Sequence, residues 1–153
     1  MNSPRPITLI GMKKTYQGSC HCGAVAFTCD IDLAAGTTRC NCRFCRKARF
    51  WMTLVPAGDF RLVRGADALA DYQQAPAGKS TPFLHFQFCR RCGVRGFTKG
   101  GALPQLGGEF YAVNLGSLDD PDGTLDAELA AAPIHYVDGR NDDYARTPEY
   151  HYL

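Results

Sequence analysis

The spacing of its cysteines constrains this chain more than any other feature. Seven of the eight fall in three tight groups, Cys20 with Cys22, Cys40 with Cys42 and Cys45, and Cys89 with Cys92, while Cys29 stands alone. Whether such thiols pair with one another or with a metal depends on the redox compartment. From Met1 to Tyr16 the one apolar run is Ile7–Ile10, too short for the core of a secretory signal and preceded by Pro4 and Pro6. No stretch approaches the roughly 20 apolar residues of a membrane helix. The reading is a soluble, cytoplasmic protein whose reduced thiols hold metal, with a disulfide framework or an iron–sulfur cluster as alternatives. At 153 residues the chain can bury about two thirds of its unfolded surface, so small size alone does not demand a metal. A net charge of +2 is too mild for a nucleic-acid surface, so neither nucleic acid nor membrane is an expected partner.

Short strand patterns punctuated by glycine and proline dominate the rest. Val25 and Phe27 alternate with smaller residues along 24–29, Phe50–Val55 is aromatic and β-branched, and Phe60–Val63 alternates before Gly65. Pro82–Phe88 carries Phe83, Leu84, Phe86 and Phe88, and Glu109–Leu115 alternates again. Residues 30–38 read as a turn-rich connection. Helical patterns are confined to 67–74 and 125–131. The fold class is therefore mainly β with few short helices, one domain over residues 16–153 behind a tail at 1–15.

In a strand, residues i and i+2 share a face, so Cys20 and Cys22 are expected to present two sulfurs together with His21 opposite. Cys89-Arg90-Arg91-Cys92-Gly93 is a knuckle that supplies the other half of a tetrahedron. Together they make a closed four-thiolate zinc site, which leaves no place for a substrate and serves stability. Cys40, Cys42 and Cys45 can hold a second zinc with three thiolates and an exchangeable fourth position, the pattern of a catalytic site suited to a soft incoming ligand. Two Zn2+ per chain follow. Cys29, His21, His85 or His135 could instead close the second site and make it structural, although Cys29 in its strand reads more simply as a buried small apolar residue. Arg39, Arg43, Arg46, Lys47 and Arg49 surround the second cluster without an acid among them, which offsets thiolate charge and draws anions.

The segments Gly18-Ser19-Cys20-His21-Cys22-Gly23-Ala24-Val25-Ala26-Phe27, Arg39-Cys40-Asn41-Cys42-Arg43-Phe44-Cys45-Arg46-Lys47, Phe88-Cys89-Arg90-Arg91-Cys92-Gly93 and Val113-Asn114-Leu115-Gly116-Ser117-Leu118-Asp119-Asp120 resemble, in order and spacing, the glutathione-dependent formaldehyde-activating enzyme family, also called the centromere protein V family. The resemblance implies a β-tent fold, a structural zinc on Cys20, Cys22, Cys89 and Cys92, and a reactive zinc on Cys40, Cys42 and Cys45. It further implies carbon–sulfur lyase chemistry, the condensation of glutathione with formaldehyde to S-hydroxymethylglutathione and its reverse. Two stretches depart from the family pattern, Gly93-Val94 after the knuckle and Ala48-Arg49-Phe50-Trp51 after the second cluster.

On this reading the partners are a small thiol such as glutathione and an aldehyde. Arg43 and Arg46 are candidate substrate-binding donors to the oxygen that gains charge, or else solvated surface residues. Trp51, with Phe44 and Phe50, either walls the substrate pocket or belongs to the core. His85 is either a proton relay or a hydrogen-bonded, half-buried strand residue, and Asn114 either orients substrate or satisfies backbone groups at its strand end. The competing functions are a non-catalytic zinc-binding interaction module and a thiol redox or zinc-buffering protein.

Overall fold

The computed structural model describes residues 12–152. Most of the segment read as an N-terminal tail, residues 1–11, lies outside that range. The elements in chain order are β1 (Lys14–Ser19), β2 (Ala26–Ile31), β3 (Thr37–Cys40), α1 (Arg43–Ala48), β4 (Trp51–Pro56), β5 (Phe60–Arg64), β6 (Leu69–Gln74), β7 (Leu84–Cys89), β8 (Phe97–Leu103), β9 (Gly108–Asn114), α2 (Leu125–Ala131) and β10 (Ile134–Val137), with 3-10 turns between several of them. The domain is mainly β. No helix among the described residues is long and apolar enough to cross a membrane.

The strands form two sheets, a three-stranded one in the order β1-β2-β5 and a seven-stranded one in the order β10-β3-β4-β9-β8-β7-β6. Alternation on β2 sends Phe27, Cys29 and Ile31 inward, and all three are buried. Aromatic rings join the sheets: Phe27 and Phe60 from the small sheet meet Phe97 of β8 at 5.5 and 4.6 Å, and Phe60 stacks on Tyr111 of β9 at 3.9 Å. Cys29, fully buried, is part of this core and belongs to neither cysteine cluster.

Four departures from the sequence reading have physical causes. Residues 67–74, read as helical, form a 3-10 turn at Ala66–Ala68 and then β6, because six residue pairs align β6 antiparallel along β7 and that pairing overrides local propensity. Cys20 and Cys22 sit in the turn between β1 and β2 rather than in a strand. β8 carries Gly100 and Gly101, which dilute a strand signature, yet glycine is needed there because a Cβ at Gly100 would strike the Phe110 ring and one at Gly101 would lie 2.7 Å from the Phe83 ring. The connection at 30–38 contains the start of β3, and the C-terminal residues 133–152 contain β10, which pairs parallel to β3 with Val137 opposite Cys40.

Phe27 is the hub of the inter-sheet core at 1% exposure. Phe27→Ala is expected to cost about 3–5 kcal/mol, read as a fall in the denaturant midpoint with the metal content held constant.

Candidate metal centres

Two turns build the first centre in the same way. In the β1–β2 turn the Gly23 N–H donates to the Cys20 carbonyl at 3.1 Å, and in the β7–β8 turn the Gly93 N–H donates to the Cys89 carbonyl at 2.8 Å. Both glycines have positive φ, 79° and 77°, which lets each chain reverse tightly behind its sulfurs. The backbone also points donors at sulfur, since Val25 N–H reaches Cys20 Sγ at 3.3 Å. Backbone N–H groups of Cys22 and Val94 pull the Cys92 thiol down to about 6, favouring thiolate.

The four sulfurs of Cys20, Cys22, Cys89 and Cys92 lie within 4.8 Å of one another, with Cys20–Cys22 and Cys22–Cys89 both at 3.7 Å. A tetrahedral ion with sulfur bonds of about 2.3 Å requires sulfurs about 3.8 Å apart, so the cradle fits zinc. Its place in the fold follows from the two turns, one leaving the small sheet and the other the large one.

The second centre lies where β3 runs into α1. Cys40 closes β3, Cys42 caps α1 and Cys45 lies within it, and their three sulfurs also fall within 4.8 Å of each other. The Cys45 N–H donates to Cys42 Sγ at 3.3 Å and the Cys42 N–H to Cys40 Sγ at 3.4 Å. Hydrogen bonds from Cys40 and Cys45 hold the Cys42 thiol far below its ordinary range, while the same contacts push Cys45 up. One shared thiolate among three close thiols is what a set of metal ligands looks like before the ion displaces the remaining protons.

None of the four groups considered as a closing ligand joins this cluster. Cys29 is in the core, His21 is exposed in the β1–β2 turn, His135 lies against Gly36, and His85 Nδ1 sits 2.7 Å from Asp71 Oδ2. His85 alternates on β7 with Phe86, whose ring stacks on Phe44 of α1 at 3.7 Å, so the imidazole takes the face away from the second centre.

The other singled-out residues divide. Arg43 and Arg46 are exposed on α1, and Phe50 is buried in a small core under the cluster. Trp51 packs on the main core, donates Nε1–H to Thr37 Oγ1 at 2.8 Å and carries the Arg39 guanidinium over its ring at 4.8 Å, which ties it into the sheet. Asn114 donates to the Arg95 carbonyl at 2.7 Å and accepts from Gly116 N–H, so it satisfies backbone at the end of β9.

Sequence reasoning missed the C-terminal segment. Asn41, between two of the ligands, donates to Asp138 Oδ1 at 2.8 Å and accepts from the Arg140 N–H at 2.9 Å. Asp138 is 2% exposed, and the amides of Asn141 and Asn41 hold its carboxyl below the usual carboxylate range. This lays the Gly139 backbone against Cys40, and a Cβ there would strike Cys40 Sγ and lie 3.2 Å from Cys42 Cβ. Tyr144 stands next to it, its hydroxyl pushed up by burial and by the neighbouring thiols. A cleft opens beside Cys40, lined by Arg39, Asn41, Tyr136, Tyr150, His151 and Tyr152. The tail's run of tyrosines was the one available signal.

A family model for the glutathione-dependent formaldehyde-activating enzyme matches residues 15–133. The chain belongs to that family. A Halomonas elongata protein named for glutathione-dependent formaldehyde activation is 35% identical over 80 residues, 50% of this chain and 50% of that protein. The chain thus spans about half the length of this curated relative. A crystal structure of a Rhodobacter sphaeroides protein superposes with a TM-score of 0.58 at 30% identity, covering 78% of this chain and 99% of that one. Both cysteine clusters of this family member fall inside the matched range, whereas the Asp138–Gly139 clamp lies beyond it.

Two variants probe the centres separately. Cys89→Ser is expected to lower stability by several kcal/mol, since metal binding at a closed site is folding free energy, and a melt of the metal-loaded protein checks it. Gly139→Ala is expected to force Cys40 Sγ or the tail aside, so that a cobalt(II) titration shows the second centre weakened and the first unchanged.

Proposed function

We propose that the chain is a zinc-dependent carbon–sulfur lyase acting on a thiol–aldehyde adduct, joining glutathione and formaldehyde into S-hydroxymethylglutathione and reversing that reaction. The observation that carries this reading is the second cluster of three cysteine sulfurs with no fourth His, Cys, Asp or Glu ligand among the described residues. The first centre, on Cys20, Cys22, Cys89 and Cys92, is read as closed and structural, and the second, on Cys40, Cys42 and Cys45, as catalytic. Zinc there supplies a Lewis-acidic position at which a thiol is held as thiolate at neutral pH.

The chain's own residues supply the rest. Backbone N–H groups aimed at Cys40 and Cys42 fix those sulfurs in place and favour the thiolate at Cys42. Gly139, held by the Asn41–Asp138 clamp, covers one side of Cys40, so a substrate would reach the sulfurs from another side. Arg43 and Arg46, exposed beside the cluster, are read as attracting the carboxylates of a peptide thiol. A tyrosine hydroxyl or the Arg39 guanidinium beside Cys40 can donate to the aldehyde oxygen as it gains charge.

Cys42→Ser is expected to abolish thiol binding and turnover while moving the melting temperature little, and mild chelation is expected to remove about one metal of two with the near-UV circular dichroism preserved. Cooperative loss of both metals and of the fold would mark the second centre as structural. Raising ionic strength is expected to weaken glutathione binding through screening of the exposed arginines, and salt-independent binding would remove them from the site.

A further inference from the structure

Three buried side-chain atoms lack a hydrogen-bond partner among the described residues, and two of them belong to arginines beside the three-cysteine centre: Arg39 Nε and Arg95 Nη1. Arg39 precedes Cys40 and rests on Trp51. Arg95 presents the sharper puzzle. Its guanidinium is half-buried over three phenylalanine rings, 4.7 Å from Phe44, 5.4 Å from Phe86 and 5.7 Å from Phe88. No acidic partner for it is found among the described residues. A desolvated cation with an unmet donor is costly, and aromatic faces offset only part of that cost. Phe44, the ring nearest the guanidinium, belongs to the turn that carries the thiolate cluster, and that cluster is the compensating charge the packing offers.

The rings place it there. Phe44 lies in α1 between Cys42 and Cys45, so the side chain that carries Arg95 is part of the ligand-bearing turn itself. Burial lowers the Arg95 guanidinium below its ordinary range. Three thiolates on a divalent ion leave one surplus negative charge, and a fourth thiolate leaves two. The exposed Arg43 and Arg46 face solvent, where salt screens them, so they cannot balance that charge as a half-buried group does.

We propose that Arg95 is a positioning residue for the three-cysteine centre: fixed by Phe44, Phe86 and Phe88, its guanidinium neutralises the surplus charge of a thiolate-rich metal site and makes an anionic sulfur the preferred fourth ligand. The ligand preference rests on the open-site reading above, whereas the effect on metal affinity does not.

The test uses the full chain loaded with cobalt(II), whose sulfur-to-metal absorption falls in separate steps as each centre gives up its metal, and compares Arg95→Met, which keeps the packing and deletes the charge, with Arg95→Lys, which keeps the charge. Chelator competition is expected to show the second metal held about tenfold more weakly in Arg95→Met, restored in Arg95→Lys, with the first metal unchanged in both. Titration with 2-mercaptoethanol, which carries no charge besides its sulfur, is expected to weaken by about tenfold in Arg95→Met, while titration with neutral imidazole is unchanged. Equal loss of both ligands, or wild-type metal affinity in Arg95→Met, overturns the proposal. If the parent protein takes up neither ligand, the open-site reading falls and with it the ligand preference, and the chelator competition still decides the role of Arg95 at the metal. Arg95→Gln repeats the comparison if Arg95→Met does not fold.

Discussion

Four sulfurs drawn from two distant turns meet where the two sheets of this protein join, close enough for one ion to grip both turns. The Cys20–Cys22 turn leaves the three-stranded sheet and the Cys89–Cys92 turn leaves the seven-stranded one, and their sulfurs approach to 3.7 Å. Bringing together segments about seventy residues apart costs loop-closure entropy, which an ion gripping both turns offsets. The aromatic contacts among Phe27, Phe60, Phe97 and Tyr111 share a core with Cys20 and Cys89, so a metal on those sulfurs would reinforce the interface that apolar packing makes.

The second cluster has a different setting. All three of its cysteines come from one short stretch at the end of β3 and the start of α1, so it closes no long loop and contributes little to joining the sheets. Its surroundings are instead polar and specific to one side: Asn41 reaches the buried Asp138, the Gly139 backbone lies on Cys40, and a cleft of tyrosines and Arg39 flanks the metal position. A centre that the fold does not need for cohesion can leave a coordination position to a ligand from solution.

Charge ties these features together. Two divalent ions held on seven thiolates would leave the domain with a surplus of negative charge concentrated in small volumes. At the first centre backbone N–H groups absorb part of it, as they do at Cys92. At the second, two guanidinium groups with unmet donors, Arg39 and Arg95, stand against aromatic faces beside the ligands. A preformed field of this kind needs no reorganisation when an anion arrives.

Much of the site is legible in the sequence, because metal ligation is local: the spacings of Cys20–Cys22, Cys40–Cys45 and Cys89–Cys92 place their thiolates within reach of an ion whatever surrounds them. The strands at 26–31, 51–56, 60–64, 84–89 and 108–114 and the helix at 125–131 were readable for the same reason, since apolar alternation and helical period are properties of a short stretch. Tertiary pairing alone decided the rest. It turned 69–74 from a helical pattern into an edge strand, and it made a strand of a glycine-bearing segment because Phe83 and Phe110 fill the space the glycines leave. It also laid β10 beside β3, so that Asp138 meets Asn41 and Gly139 meets Cys40 and Cys42 about a hundred residues earlier. Arg95 gave no sign of its place, because an arginine three residues past a zinc knuckle looks like any surface cation until three rings from two elements and the strand end close around it. Spacing along the chain determines which atoms can hold an ion, whereas only the packing of distant segments determines what charge, wall and opening that ion meets.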